Sequence, residues 1–367
     1  MIFKEDWEKA KERFNAFWSG EIVDRCCFAV TAPRNKPLDS RIELREAKDL
    51  VQRWTDSEFR LEEAMHYFSN NYFGGEAFPM FWNNLGPGVG ASFMGSGYKL
   101  AKDTIWFDVN PIIKDWKDMP EIKLNKESAM WKIAWNMTEK FCMNGNGKYH
   151  VGITDLGGNF DIAVSLRGND ALLYDLYDYP EEVKALINQI DNVWFQAYDL
   201  MQGLLNKYVE GSSAWMGIWC KKRWYPLQCD FSAMISAEMF EKFVKLSLKR
   251  EAEHMDYSIY HLDGPGQIRH LDNLLDIDGI NGIQCVPGAT LSERTGEFHS
   301  TFYSETWIPV YKKIQEKGKN LVLTEVHPSE IDDLLGCLSP KGLYIASSCK
   351  TEDEARELLK KIEKWNP

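Results

Sequence analysis

Apolar residues fall at helical spacing in the first stretch of the chain, where Trp7, Ala10, Phe14, Phe17 and Trp18 share one face. The same period returns from about residue 44 to 68, through Ala47, Val51, Trp54, Leu61, Met65 and Phe68. Each stripe predicts an amphipathic helix laid against a core. Pro180 opens a longer one carrying Val183, Leu186, Ile187, Ile190, Val193, Trp194 and Ala197; proline suits a first turn because the missing N–H has no helical partner there. Ser236 caps a further predicted helix, Ser329 with Asp332 starts another, and Thr351 with Glu354 forms a capping box ahead of Ala355, Leu358, Leu359 and Ile362.

Short apolar runs lie between these helices: "CCFAVTA" (26–32), "EAFPMFWN" (76–83), "HVGITDLG" (150–157), "SAWMGIWC" (213–220), "DYSIYHLD" (256–263), "NGIQCVPG" (281–288), "NLVLTEVH" (320–327) and "GLYIASSC" (342–349). Runs apolar on both faces, alternating with helices, are what a helix-covered parallel sheet requires. Eight of them predict an α/β fold of the (β/α)8 TIM barrel type with extra N-terminal helices, as a single domain over residues 1–367 in which 1–70 are mainly helical elaboration. No GxGxxG follows the first run to support a dinucleotide fold.

The net charge of -12 disfavours a nucleic-acid partner, because binding to phosphate backbones depends on clustered Lys and Arg. No uninterrupted apolar run reaches the ~18 residues of a membrane span, and "MIFKEDWEKAKERF" lacks the apolar centre of a signal peptide. The expectation is a cytoplasmic protein. Its 8 cysteines are then reduced thiols, with no CxxC pair among them.

In such a barrel, function gathers at the carboxyl ends of the strands. Those ends carry Trp82, Asn83 and Asn84; Asp155 with Asn159; Trp219 and Cys220; His261 and Asp263; Cys285; Glu325 and His327; and Ser347 with Cys349. Residues i and i+2 of a strand point the same way, so His261 and Asp263 aim together into the mouth, and Glu325 with His327 repeats the spacing. Imidazole, carboxylate and thiolate are the ligands zinc prefers, which makes His261, Asp263, Cys285, Glu325 and Cys349 the candidate metal set. Cys349 reads as ligand more than Cys285, whose small buried side chain suits packing, and His327 before Pro328 reads as a loop residue. Asp155, Asp263 and Glu325 are the candidate catalytic carboxylates, although Asp155 ahead of "LGGN" is equally a turn former. Trp82, Asn83, Asn84, Asn159, Trp219 and Arg34 are the candidate substrate contacts.

The segments "TDLGGNFDIAVSLRGNDALLYDLYDYPEEV", "FSAMISAEMFEKF", "YHLDGPGQIRHLDNLLDIDGINGIQCVPGA" and "SPKGLYIASSCKTEDEARELL" resemble the uroporphyrinogen decarboxylase-like superfamily, which includes cobalamin-dependent methyltransferases. True uroporphyrinogen decarboxylases have an N-terminal "RQAGRY"-type segment suited to a polycarboxylated tetrapyrrole; here the equivalent stretch is "DRCCFAVTAPRNKP", which disfavours that reaction. The methyltransferase members hold zinc by a His-x-Cys pair after strand 5 and a cysteine after strand 8. His261 matches the first ligand and Cys349 the last, while Asp263 stands where the middle cysteine would be; Cys285 or Glu325 is the alternative third ligand.

The resemblance implies zinc-assisted methyl transfer between a small methylated ether, amine or thiol and a cobalamin on a partner corrinoid protein, since no "DxHxxG" segment binds corrinoid in this chain. A homodimer is compatible with it. The alternatives are a metal-free lyase on a carboxylated substrate held by Arg34 or Arg167, and a barrel that binds a small molecule or tetrapyrrole without turnover.

Overall fold

The computed structural model describes residues 1–107, 109–291 and 298–364. Its strands are β1 (Cys27–Pro33), β2 (Asn71–Gly75), β3 (Met80–Trp82), β4 (His150–Gly152), β5 (Trp224–Gln228), β6 (Tyr257–Asp263), β7 (Gly282–Val286), β8 (Asn320–Val326) and β9 (Leu343–Ser348), besides three short antiparallel pairs. Seven of them form one sheet in the order β2-β1-β9-β8-β7-β6-β5. Every pairing in it is parallel except that of β1 with β2. The parallel strands β7, β8 and β9 are almost wholly buried, which is why they read as continuous apolar runs. One hydrophobic core runs from Phe3 to Ile362.

The predicted closed ring of eight strands is not reproduced as a continuous ladder. β3 and β4 form a separate parallel pair, and among the described residues no ladder joins that pair to β5 or β2. Where the run 213–220 was expected to supply a parallel strand, the chain instead folds into a tight antiparallel pair, Ser212–Ser213 with Trp219–Cys220. A hydrogen bond from Ile153 N to Ser213 O (2.9 Å) is the link there. The parallel strand comes later, at β5. Its Pro226 lacks an N–H, which only an edge strand tolerates, and β5 is an edge of the sheet. The sheet is strongly curled nevertheless, because Phe73 of β2 and His261 of β6 line the same cavity.

Two further expectations need correction. The helix anticipated from about residue 44 to 68 is two helices, Leu50–Thr55 and Ser57–Asn70. Asp56 breaks them with an extended backbone, its carboxylate accepting from the N–H groups of Glu58 and Phe59. Val51, assigned to the buried stripe, is 61% exposed. The second expected strand, 76–83, is realised only as β3, preceded by the antiparallel β2.

The β2 to β3 turn contains a buried ion cluster. Gly75 has φ +61 and an added Cβ would lie 2.0 Å from the Phe28 carbonyl oxygen, so only glycine fits. The turn brings the Glu76 carboxylate, fully buried, back onto Phe28 N (2.7 Å), Arg25 Nη1 (2.5 Å) and Arg13 Nη1 (3.2 Å). Arg13 belongs to the helix Trp7–Trp18, so this carboxylate fastens that helix to the sheet. No described helix is long and apolar enough to cross a membrane.

Candidate active site

The carboxyl ends of the parallel strands surround a cavity of about 520 Å³. Strand alternation places His261 of β6, its register partner Gln284 of β7, and Thr324 of β8, two residues beyond Gln284's partner Val322, on its wall. They form a chain of hydrogen bonds. His261 Nδ1 donates to Gln284 Oε1 (2.6 Å), and Gln284 Nε2 donates to Thr324 Oγ1 (2.7 Å). Because an amide oxygen can only accept, a proton sits on Nδ1, and in the neutral ring the lone pair is then on Nε2. Trp215 stands edge-on to the imidazole, ring centroids 5.0 Å apart and planes at 89°, which limits its rotation.

Two carboxylates meet this imidazole. Asp230, His261 and Asp263 each place a ligand atom within 4.8 Å of the others. Asp263 comes from the end of β6, as its i+2 spacing to His261 predicts. Asp230 comes from the 3-10 turn Asp230–Met234 just after β5, whose Gln228 is the register partner of His261. Asp161 holds that turn by accepting from the N–H groups of Asp230 (3.0 Å) and Phe231 (2.9 Å). Gly158 lets the segments approach, since a Cβ there would lie 2.1 Å from the Gln228 carbonyl oxygen.

The electrostatics are those of crowded acids. Desolvation raises the Asp230 carboxyl; neighbouring His261 opposes the rise and Asp263 adds to it. Asp161 is raised by desolvation and by the charge of Asp230. Carboxylates that repel one another are relieved by a bound cation. The donor set fits a divalent ion: one imidazole nitrogen with a fixed lone pair and two carboxylates, three protein ligands that leave a position open. Lacking thiolate, it is a harder site than His-x-Cys plus cysteine.

The other predicted residues are placed differently. Cys285 is fully buried and, next to Gln284 on β7, points to the opposite face of the sheet; burial pushes its thiol up. Cys349 follows β9, whose alternate residues Tyr344, Ala346 and Ser348 face the cavity, and it packs against the core with its thiol raised by burial to about 11. Neither joins the three-residue group, and Glu325 does not either, although it lines the cavity. Asp155 is buried, its Oδ1 accepting from Gly157 N (2.8 Å) and lying 3.5 Å from the Tyr225 hydroxyl, so it serves the turn.

The predicted substrate contacts lie outside the cavity wall. Asn83 donates to Ala134 O and Thr138 Oγ1, Asn84 accepts from Gly86 N, and Asn159 donates to Asp191 and Ser247 under the long helix Pro180–Leu205. Trp219 is core, its indole donating to Glu210 O; Trp82 is half-buried. Arg34 donates to Asn71 O, Arg167 is paired with Asp175, and His327 accepts at the turn Pro328–Glu330. Asp230, Gln284 and Thr324 were not singled out by the sequence. The signal for Asp230 was available in "WYPLQCD", a strand disguised by its proline.

Two outcomes follow from this geometry. Gln284→Leu leaves the imidazole without its acceptor, so if the candidate site holds zinc its affinity, read by competition with a chelating dye, is expected to fall roughly 10- to 100-fold. Asp155 titrates near 6 in the fold against 3.8 ordinarily, chiefly through desolvation. Between those values the folded state holds the extra proton, so stability is fully present below about pH 4 and declines as pH rises towards 6. Urea denaturation should therefore show Asp155→Asn gaining about 1 to 3 kcal/mol over wild type between pH 4 and 7; parallel pH profiles would refute the assignment.

The fold and site together define an α/β protein with a candidate metal centre at the carboxyl end of a curled parallel sheet. No family model matches the chain and no curated protein matches it. Among solved structures it is similar to the methyltransferase from Methanosarcina mazei, with a TM-score of 0.59 and 14% identity over 96% of this chain and 98% of that one. The likeness establishes a shared fold over nearly the whole length.

Proposed function

We propose that the chain is a methyltransferase component that moves a methyl group between a small methylated substrate and a cobalamin carried by a separate corrinoid protein. In this reading the curled sheet and the β3–β4 pair together form the wall of a (β/α)8-type barrel. The observation that carries the proposal is the imidazole of His261, held by Gln284 with its Nε2 lone pair free, beside the carboxylates of Asp230 and Asp263. His261, Asp230 and Asp263 would hold zinc. Zinc held there would supply Lewis acidity towards a substrate heteroatom. The protein's own groups do the rest: Gln284 and Trp215 fix the imidazole, the two aspartates balance the charge of a divalent ion, and the cavity orients substrate towards its mouth, where a corrinoid domain could approach. Fold likeness to a methyltransferase supports the reading. The lyase alternative is not favoured, because Arg34 and Arg167 are engaged elsewhere and no described Lys or Arg lines the cavity.

Elemental analysis of chelator-free protein is the test, followed by methylation of free cob(I)alamin with methanol, 2-methoxyphenol, trimethylamine and choline as donors. About one zinc per chain and formation of methylcobalamin from one donor are the expected results. Protein that holds no metal after zinc is added back, and methylates cobalamin from none of them, overturns the proposal.

A further inference from the structure

Glu325 departs from regular strand geometry in a way that serves the cavity. In an undisturbed strand it would point away from the side that Thr324 faces. The register of β8 against β9 shifts between Leu323 and Val326, and Glu325 takes φ 63, the sole non-glycine residue with positive φ among those described. A bulge of this kind re-aims a side chain, and the left-handed backbone costs a residue with a Cβ about 1 to 3 kcal/mol. The result is that Thr324 and Glu325 both line the cavity. Glu325 is exposed, and no hydrogen bond or ion pair ties its carboxylate to another described residue.

The rest of the wall is complementary to one kind of ligand. Tyr67, Phe73, Phe78, Trp215 and Tyr344 line the same cavity, and among the described lining residues there is no Lys or Arg. Aromatic faces attract a cation through the ring quadrupole, most strongly when it is poorly hydrated. Glu325 repels an anion, and a neutral ligand would make no use of its charge. Asp230 and Asp263 would balance a divalent ion at His261, so the charge of Glu325 would stay available with metal bound.

We propose that this cavity selects a small quaternary ammonium compound carrying an oxygen group, its methylated cation held by the aromatic wall and Glu325 and its oxygen turned towards His261. This rests on the methyl-transfer reading only for the fate of the ligand, whose positive nitrogen has no lone pair for zinc and is already activated to lose a methyl, so that the ion would orient the oxygen alone; binding is independent of it. The test is calorimetric titration of the full chain, with and without zinc, using choline and its uncharged isostere 3,3-dimethylbutan-1-ol. Choline is expected to bind at least about tenfold tighter than the isostere, matching the cation–π and ion-pair contributions. E325Q should remove most of that advantage while leaving the isostere unchanged, and Phe78→Leu should weaken choline without abolishing folding. Equal binding of the two ligands to wild type, or no choline binding by zinc-loaded protein, overturns the inference and leaves the methyl-transfer proposal standing. Choline selectivity in protein that never holds metal does the reverse.

Discussion

On the proposed methyl-transfer function, His261→Ala is expected to purify without stoichiometric zinc and to lose activity by about 10³-fold or more. The residue supplies the single nitrogen of the donor set, and the two aspartates that remain would face each other across an empty apex. Loss of Lewis-acid stabilisation worth several kcal/mol corresponds to that factor, since each ~1.4 kcal/mol is tenfold in rate. The fold should survive, because His261 is only half-buried and its partner Gln284 keeps Thr324. Circular dichroism with metal analysis on the same sample separates the two effects. Full zinc content in the variant would exclude His261 as a ligand and point to other donors.

Glu76→Ala should be the most destabilising single change in the amino-terminal third, by about 3 to 5 kcal/mol in urea denaturation. The carboxylate is fully buried and serves Arg25, Arg13 and the Phe28 N–H at once. Removing it strands Arg25, which among the described residues keeps just the Cys26 carbonyl as acceptor, and weakens Arg13, which keeps Asp24. Unpaired buried charge is costly, whereas an apolar replacement of the whole cluster need not be. Replacing Arg25 and Glu76 together by Met and Leu should therefore cost less than Glu76→Ala alone. If the double variant is the worse of the two, the cluster stabilises through its hydrogen bonds and not by compensating buried charge.

The sequence by itself determined the α/β class, the order of most strands and the nearness of His261 to Asp263. These depend on periods of two and 3.6 residues, which are local properties of the chain. Locality also explains the failures. Pro226 and the neighbouring aromatics masked β5, and with it Asp230, because only the edge position in the finished sheet makes a proline acceptable there. Cys285 and Cys349 have the chemistry of ligands, but strand parity turns Cys285 from the cavity, and Cys349, half-buried just past β9, stands outside the group of Asp230, His261 and Asp263, which no composition argument could show. The tertiary structure alone decided that Gln284 would meet His261 and that a bulge would swing Glu325 into the cavity. Both depend on the register between strands far apart in sequence, which is set by the packing of the whole sheet and not by any short stretch of chain.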